Sequence, residues 1–486
     1  MAPEATPQSI ETRLFINGEV RAFTIFISKV STTYQNHGVS MSKLSEATEK
    51  DVDQAVAAAK SAQPAWANLT VEQRGSYFKK FAKLIRESND ELATLEAISM
   101  GFPKSRYFHA MACAGTFDHY SEAGYDMQGT TSLNTPGFVS MTLRQPYGVV
   151  AAIIPWNVPL IMLANKIAPA LAVGNTVVLK SSEKAPLTSC KIASLVKEAG
   201  FPPGVFNILS GHGHISGAAL SSHMEVRALS FTGSTRTGRV IQQAAAQSNL
   251  KVIFLELGGK SPVCIFEDAD LEVAADDTQH SIQGNSGQTC MATTRVYVQD
   301  TVAEKFIGLF KSKFEAVTIG DPLHPGTNHG PQADKVQYDN VLRYIEMGKK
   351  EGTLALGGST VEGDGYFIRP TIFTNTPEDA RTMKEEIFGP VVHINTFSTE
   401  EEVMEKANNT EYGLYASVYT KDINRALKFA KGLEAGTVGV NCTSPTQGRD
   451  MPFGGWKGSG IGREGMPLYT MSNFLEMKTV VVKVGF

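Results

Sequence analysis

Residues 284–293 read GNSGQTCMAT and set one cysteine, Cys290, among glycines, hydroxyls and amides. A thiol in such company is either an inert buried group or a nucleophile held where a loop meets a helix. To act it needs a base for its proton, donors for a developing oxyanion and an acceptor for the electron pair that leaves. LELGGKSP offers a base, because Glu256 ends an apolar run where a carboxylate is costly to bury without a partner or a task. The same stretch adds Gly258 and Gly259, which permit close approach of another backbone. PWNVP sets the neutral amide of Asn157 in an apolar turn, where it could satisfy backbone groups or stabilise an oxyanion. FTGSTRTG carries Gly233, Ser234 and Gly238 on a strand–turn–helix pattern whose N–H groups could face a phosphate. It matches neither GxGxxG nor GxxxxGK[ST], and an ordinary glycine-containing turn would look the same.

The elements that must position these residues are legible in the periodicity. At 486 residues the chain exceeds the roughly 250–300 that one core supports, so two or more domains are expected. Thr48 and Asp51 form a capping box ahead of an apolar stripe of Val52, Ala55, Val56, Ala59 and Ala62, and a second long helix is expected over residues 77–100, stopped by Gly101 and Pro103. Residues 128–147 read as an extended hairpin arm. Strands VVAAIIP, TVVLK, VFNIL, ALSFTGS and VIFLEL then alternate with helices, and RVYVQ, PVVHINTF, LYASVYT and TVGVNC repeat that grammar in a second unit. Such alternation predicts parallel sheets covered on both faces. Ligands bind such sheets outside the carboxyl ends of the strands, which directs attention to residues 155–157, 180–183, 232–238 and 256–260.

Bulk properties narrow the partner. With 42% hydrophobic residues, 19% charged residues and a net charge of −4, there is no basic excess to grip nucleic acid, and a small-molecule substrate is expected. The five cysteines are odd in number, scattered and without a CxxC pair, which points to free thiols in a reducing compartment and no metal site. A signal-type N-terminus and a peroxisomal tripeptide are both lacking, so a cytoplasmic location is expected. The longest apolar stretch is interrupted by Pro155, Asn157, Pro159, Asn165 and Lys166, which argues against a membrane span.

IIPWNVPL, VVLKSSE, FTGSTRTG, LELGGKSP, GNSGQTC, EEIFGPV and PFGGWKGSGIGRE occur in one order, and from about Ser45 to the C-terminus the chain resembles the NAD(P)-dependent aldehyde dehydrogenase superfamily. The resemblance implies an α/β fold of two Rossmann-like parallel domains plus a β-arm. Residues 1–127 and 148–258 would form the NAD-binding domain, 259–468 the catalytic domain, and 128–147 with 469–486 the oligomerisation arm. It implies Cys290 as nucleophile, Asn157 and the Cys290 N–H as oxyanion donors, and Glu256 as base for hydrolysis of a thioester. Ile154, Pro155, Trp156, Lys180, Glu183, Gly233, Ser234, Gly238, Leu257, Glu386 and Phe388 are the implied cofactor contacts. Glu183 would accept from ribose hydroxyls and repel a 2′-phosphate, which favours NAD; KSSE in place of the family's KPxE leaves NADP open.

The resemblance also bears on substrate and assembly. Glu464 aligns with a glutamate sometimes given a proton-relay role. Asn165 and Gly284 stand where some relatives carry tryptophan and phenylalanine, while Phe453 keeps an aromatic wall, so a roomier and more polar tunnel than one for acetaldehyde is expected, with Gly284 and Gly287 leaving space beside the thiol. Arg449 either meets a substrate carboxylate or is solvated. A homodimer or homotetramer is implied by the arm, and residues 21–45 lack the family's Asn-Pro turn. Two other readings stand beside an NAD-dependent dehydrogenase: an idle binding or structural protein on this scaffold, and a cysteine hydrolase that uses the same thiol without nicotinamide.

Overall fold

The computed structural model describes residues 12–21, 26–27, 44–363, 365–448, 450–465 and 467–485. Five strands form a parallel block in the order Val252–Glu256, Val226–Thr232, Val149–Ile153, Thr176–Ser181 and Phe206–Ser210. The antiparallel strand Gly460–Ile461 closes one edge, and Leu14–Ile16 with Glu19–Arg21 closes the other. Strand order reverses beside Val149–Ile153: the chain moves outward to Phe206–Ser210 and then returns to lay Val226–Thr232 on the opposite flank. A crevice at such a reversal is where a doubly wound sheet takes its ligand.

A second sheet runs Thr353–Leu356, Thr371–Thr374, Val391–Phe397, Thr293–Gln299, Ser261–Ile265, Tyr415–Tyr419 and Thr437–Val440, parallel throughout except for its first strand. Ser261–Ile265 and Tyr415–Tyr419 are buried throughout and Thr293–Gln299 up to its last residue, as a sheet covered on both faces requires. The third sheet pairs Leu475–Lys483 with Phe138–Pro146 along nine residue pairs and adds Thr131–Ser132 beyond it. The extended arm read from residues 128–147 is therefore completed by the C-terminal strand. No helix among the described residues is long and apolar enough to cross a membrane.

Local chemistry explains the helices near the site. Thr48 caps Glu49–Ala67 with the reciprocal Asp51 bond of a capping box. The long helix expected over residues 77–100 is instead two, Val71–Glu87 and Asn89–Met100, parted at Ser88, whose φ of −92° and ψ of 9° leave the helical well. The periodicity hid that break although the two helices serve different clusters: Phe78, Phe81 and Ile85 pack into the core under the first sheet, joined by Leu92, while Leu95 and Ile98 pack with Leu187 and Cys190. The strand Ser261–Ile265 was also hidden, since Pro262 argues against a central strand. The ladder shifts register between Ser261 and Pro262, and that irregularity absorbs the missing donor.

Candidate active site

The candidate groups of the first sheet lie at the carboxyl ends of its strands, whereas Glu386 and Phe388 lie ahead of Val391–Phe397 in the second. Residues 154–157 leave Val149–Ile153, Lys180 and Glu183 end Thr176–Ser181, Gly233 and Ser234 leave Val226–Thr232, and Glu256 is the last residue of Val252–Glu256. Cys290 comes from the other sheet, on the turn before Thr293–Gln299. It therefore precedes a strand and not a helix, so no helix N-terminus lowers its pKa. Residues 284–287 form a tight 3₁₀ turn in which Asn285 and Ser286 hold left-handed φ values of 50° and 55°. That strain is held by bonds to other segments: Ser286 Oγ donates to the Gly330 carbonyl at 2.7 Å, and Asn285 Nδ2 donates to the Asn157 carbonyl at 2.9 Å.

The double glycine after Glu256 has two distinct tasks. A Cβ on Gly258 would strike the Glu386 carboxylate, and one on Gly259 would strike the Cys290 carbonyl. The glycines thus let the loop bearing Glu386 and the turn bearing Cys290 converge on the end of the strand that carries Glu256. Gly284 has nothing within 4 Å of where a side chain would begin, so it does leave open space. Gly287 does not: its φ is +76°, a Cβ there would strike the Gly389 backbone, and its smallness serves the packing of the Glu386 loop.

Glu256 is buried and neither carboxyl oxygen has a well-formed hydrogen bond. Burial raises its pKa to about 7, opposed by the adjacent Cys290 thiol and reinforced by Glu464. The half-buried Cys290 thiol is pushed well above its ordinary value, first by burial and then by the Glu256 and Glu386 carboxylates. Thiol and acid therefore compete for one charge, and Glu256 is the better seat for it near neutrality. Asn157 Nδ2 donates to the Gln288 carbonyl at 2.9 Å, which fixes the amide and leaves its second N–H uncommitted. The Cys290 backbone N–H donates to no described group.

Glu464 pairs with the buried Lys166, Nζ to Oε1 at 2.6 Å, and Lys166 also donates to Ser230 Oγ at 3.2 Å. Lys166 carried no motif signal; only its place inside an apolar helix marked it. A cavity of about 10 Å³, the room one water centre needs, is lined by Glu256, Glu464 and Asn165 among others. Phe453 packs with Met291, Leu414 and Tyr415 against Cys290. A separate cavity of about 1130 Å³ reaches Cys290 and is walled by Asn157, Asn165, Gly284, Thr289 and Phe453, with Arg106, His119 and His280 also lining it. Arg449 lies outside the described residues.

The remaining candidates follow strands on both flanks of the reversal or approach from the second sheet, and none of them lines that large cavity. Ser234 caps the helix Thr235–Gln247, its side chain accepting from the Thr237 N–H, and no acid occupies the first turn. Gly233 and Gly238 cannot bear a Cβ without striking the Phe231 ring and Leu257 respectively. Lys180 is buried 3.6 Å from Glu183, with its pKa lowered by burial and partly restored by that carboxylate. Glu386 Oε1 accepts from the Gly259 N–H at 3.0 Å, and burial raises this acid to about 7. Phe388, at a left-handed φ of 59°, meets the Trp156 ring edge-on at 5.4 Å and is pinned by Gln337 Nε2 donating to its carbonyl at 2.6 Å. Ile154 is buried at the start of the same turn. A helix N-terminus without its own acid, a cationic lysine beside Glu183 and a buried carboxylate held by a backbone N–H suit a dinucleotide's phosphates and ribose hydroxyls.

The chain resembles known proteins over nearly its whole length. The model of the aldehyde dehydrogenase family matches residues 28–480. An aldehyde dehydrogenase of Agaricus bisporus is 43% identical over 98% of this chain and 96% of its own. Aldehyde dehydrogenase, cytosolic 1, of Macroscelides proboscideus is 42% identical over 100% of this chain and 97% of its own. Among solved structures, a mutant P. syringae indole-3-acetaldehyde dehydrogenase in complex with NAD+ and IAA superposes with a TM-score of 0.94 at 37% identity, covering 98% of this chain and 97% of that one.

Proposed function

The chain belongs to the aldehyde dehydrogenase family of NAD(P)-dependent oxidoreductases, and on that premise we propose that it turns an aldehyde into a carboxylic acid through a covalent adduct on Cys290. The observation that carries this reading is the meeting of a thiol and a fixed amide in the wall of a large cavity with a buried carboxyl of raised pKa against the thiol. Ionised Glu256 takes the Cys290 proton, and the thiolate adds to the carbonyl carbon. The free N–H of Asn157 and the backbone N–H of Cys290 receive the oxyanion. Bound NAD(P) supplies the acceptor for the hydride whose departure leaves a thioester. Glu256 gives the sulfur's proton up to solvent and, ionised again, removes a proton from water as that water attacks the thioester, and the sulfur leaves with its electron pair. The small cavity lined by Glu256 and Glu464 gives the carboxyl room to exchange its proton with a water.

For the cofactor, Lys180 and Glu183 would hold the adenosine ribose, Gly233, Ser234 and Gly238 the pyrophosphate, and Glu386 with Phe388 the nicotinamide ribose. Ile154, Pro155, Trp156 and Leu257 would form the walls. Glu183 favours NAD. The domains divide, on this reading, at residues 258 and 259, with residues 128–147 and 469–486 as the arm. Leu475–Lys483 is an outer strand of its sheet, with Met477, Val481 and Val482 exposed, and an apolar edge of that kind calls for cover by a second copy. The expected assembly is a homodimer or homotetramer in the cytoplasm, and a monomer in analytical ultracentrifugation at micromolar protein refutes the assembly.

The deciding assay is rapid-mixing fluorescence of NADH with a panel of aldehydes. A burst equal to the enzyme concentration is expected, lost in Cys290→Ala with NAD binding kept by calorimetry. An idle scaffold protein gives no NADH, and a thiol hydrolase cleaves esters without any dependence on nicotinamide.

A further inference from the structure

The large cavity also has a solvent-exposed wall, and its chemistry is unlike that around the thiol. Arg106 stands on the short turn Lys104–Arg106 and His280 on the helix Leu271–Gln283; both line the cavity, and Arg106 Nη1 faces His280 Nδ1 at 3.4 Å. That contact has the guanidinium donating to a neutral imidazole, which leaves Nε2–H as a donor. Burial, then the Arg106 charge, lowers the His280 pKa, consistent with a neutral ring. The other charges of the wall are already matched. Asp118 is bonded to Arg86, and Glu464 to Lys166. Behind His280, Asp276 pairs with Lys313 and Asp277 accepts from Tyr419. Arg106 itself has no carboxylate partner among the described residues, so its cation is the unmatched charge of this wall.

Size joins charge. At about 1130 Å³ the cavity exceeds the roughly 300–1,000 Å³ that suits a drug-sized ligand, and Gly284 leaves its wall open beside the thiol. A short aldehyde at Cys290 would leave that wall to water. We propose that Arg106 and His280 form a subsite for an anionic group at the far end of the substrate, so that the preferred class is a long or ring-bearing aldehyde with a distal carboxylate. This rests on the aldehyde-oxidising reading and deepens it. The carboxylate accepts from the Arg106 guanidinium and from His280 Nε2–H, and the carbonyl end reaches Cys290.

The test compares 4-carboxybenzaldehyde and a series of straight-chain ω-carboxyaldehydes with their methyl esters, in the full-length native protein and in Arg106→Gln and Arg106→Lys. Arg106 is exposed, so its replacement leaves the fold intact, and neither variant alters the groups around the thiol. A kcat/KM about tenfold higher for the acid than for its ester is expected at low salt, carried by KM because the contact is remote from the reacting bond. The preference falls to about one in Arg106→Gln, survives in part in Arg106→Lys, and weakens with added salt. Equal kcat/KM for acid and ester in the native protein, or a preference unmoved by Arg106→Gln, overturns the subsite while leaving aldehyde oxidation standing. Absence of NADH with every aldehyde would instead overturn the reading beneath it.

Discussion

Replacing Glu256 by Gln keeps the shape of the side chain and removes its charge, and the burial of this acid says how much should change. Its pKa is about 7 against an ordinary value of 4.5, a difference equal to roughly 3 kcal/mol in favour of the neutral form. At pH 6 about a tenth of the enzyme then carries the charged base and at pH 8 about nine tenths, so the steady-state rate should rise roughly tenfold between them. Glu256→Gln should lose this dependence together with about 10²–10⁴ of the rate, while retaining a first-turnover burst larger than its steady state. The same shift acts on stability. An acid whose folded pKa is raised binds its proton more tightly folded than unfolded, so its effect is least costly below about 4.5, grows as pH rises, and levels off above about 7. The variant escapes that cost. Its stability relative to the native protein should climb through the window from 4.5 to 7 by up to about 3 kcal/mol, seen as a growing difference in the midpoint of the first thermal transition. A difference that stays flat across that window, or a variant with the native pH–rate profile, would show that Glu256 is not the titrating base.

Three further outcomes follow from named contacts. Asn157→Ala removes one oxyanion donor and should lower kcat by about 10²–10³ with little change in KM, measured by steady-state NADH formation. Glu183→Gln removes the charge that would repel a 2′-phosphate, and fluorescence titration should find the ratio of NADP to NAD dissociation constants reduced by about tenfold. Gly259→Ala places a methyl against the Cys290 carbonyl and should cost about 1–3 kcal/mol, with slower alkylation of Cys290 by iodoacetamide as its local signature. An unchanged melting profile there would mean that the turn moves aside freely.

The parts of the site legible in the sequence were those set by short-range chemistry. Strands bounded by glycine and proline, a serine ahead of a helix, and a glutamate closing an apolar run each advertise a strand end, and a doubly wound sheet collects such ends on one side. What stayed hidden depends on partners far away in the chain. Gly258 and Gly259 promised close approach without saying of what; the structure brings Glu386 to one and Cys290 to the other. Gly287 looked like space for substrate and proves to be a packing glycine, because a left-handed φ and a distant neighbour leave the same trace in a sequence as an open pocket. Pro262 masked a central strand, since a register shift that excuses a proline is itself a tertiary event.

Those distant partners also decide the electrostatics, and here the site is organised differently from an activated thiol in isolation. A reactive cysteine is usually recognised by a nearby cation or helix N-terminus. Cys290 has neither: its charged neighbours are Glu256 and Glu386, and both raise its pKa. The thiol is therefore held protonated until a carboxylate accepts its proton, and Glu256, at about 7, is matched to that exchange near neutral pH. Lys166 is spoken for by Glu464, so the nearest buried cation steadies the second acid and leaves Glu256 free to titrate. One raised carboxyl can then serve both halves of the reaction, first for sulfur and, once it has released that proton, for water, because no well-formed hydrogen bond ties up either of its oxygens.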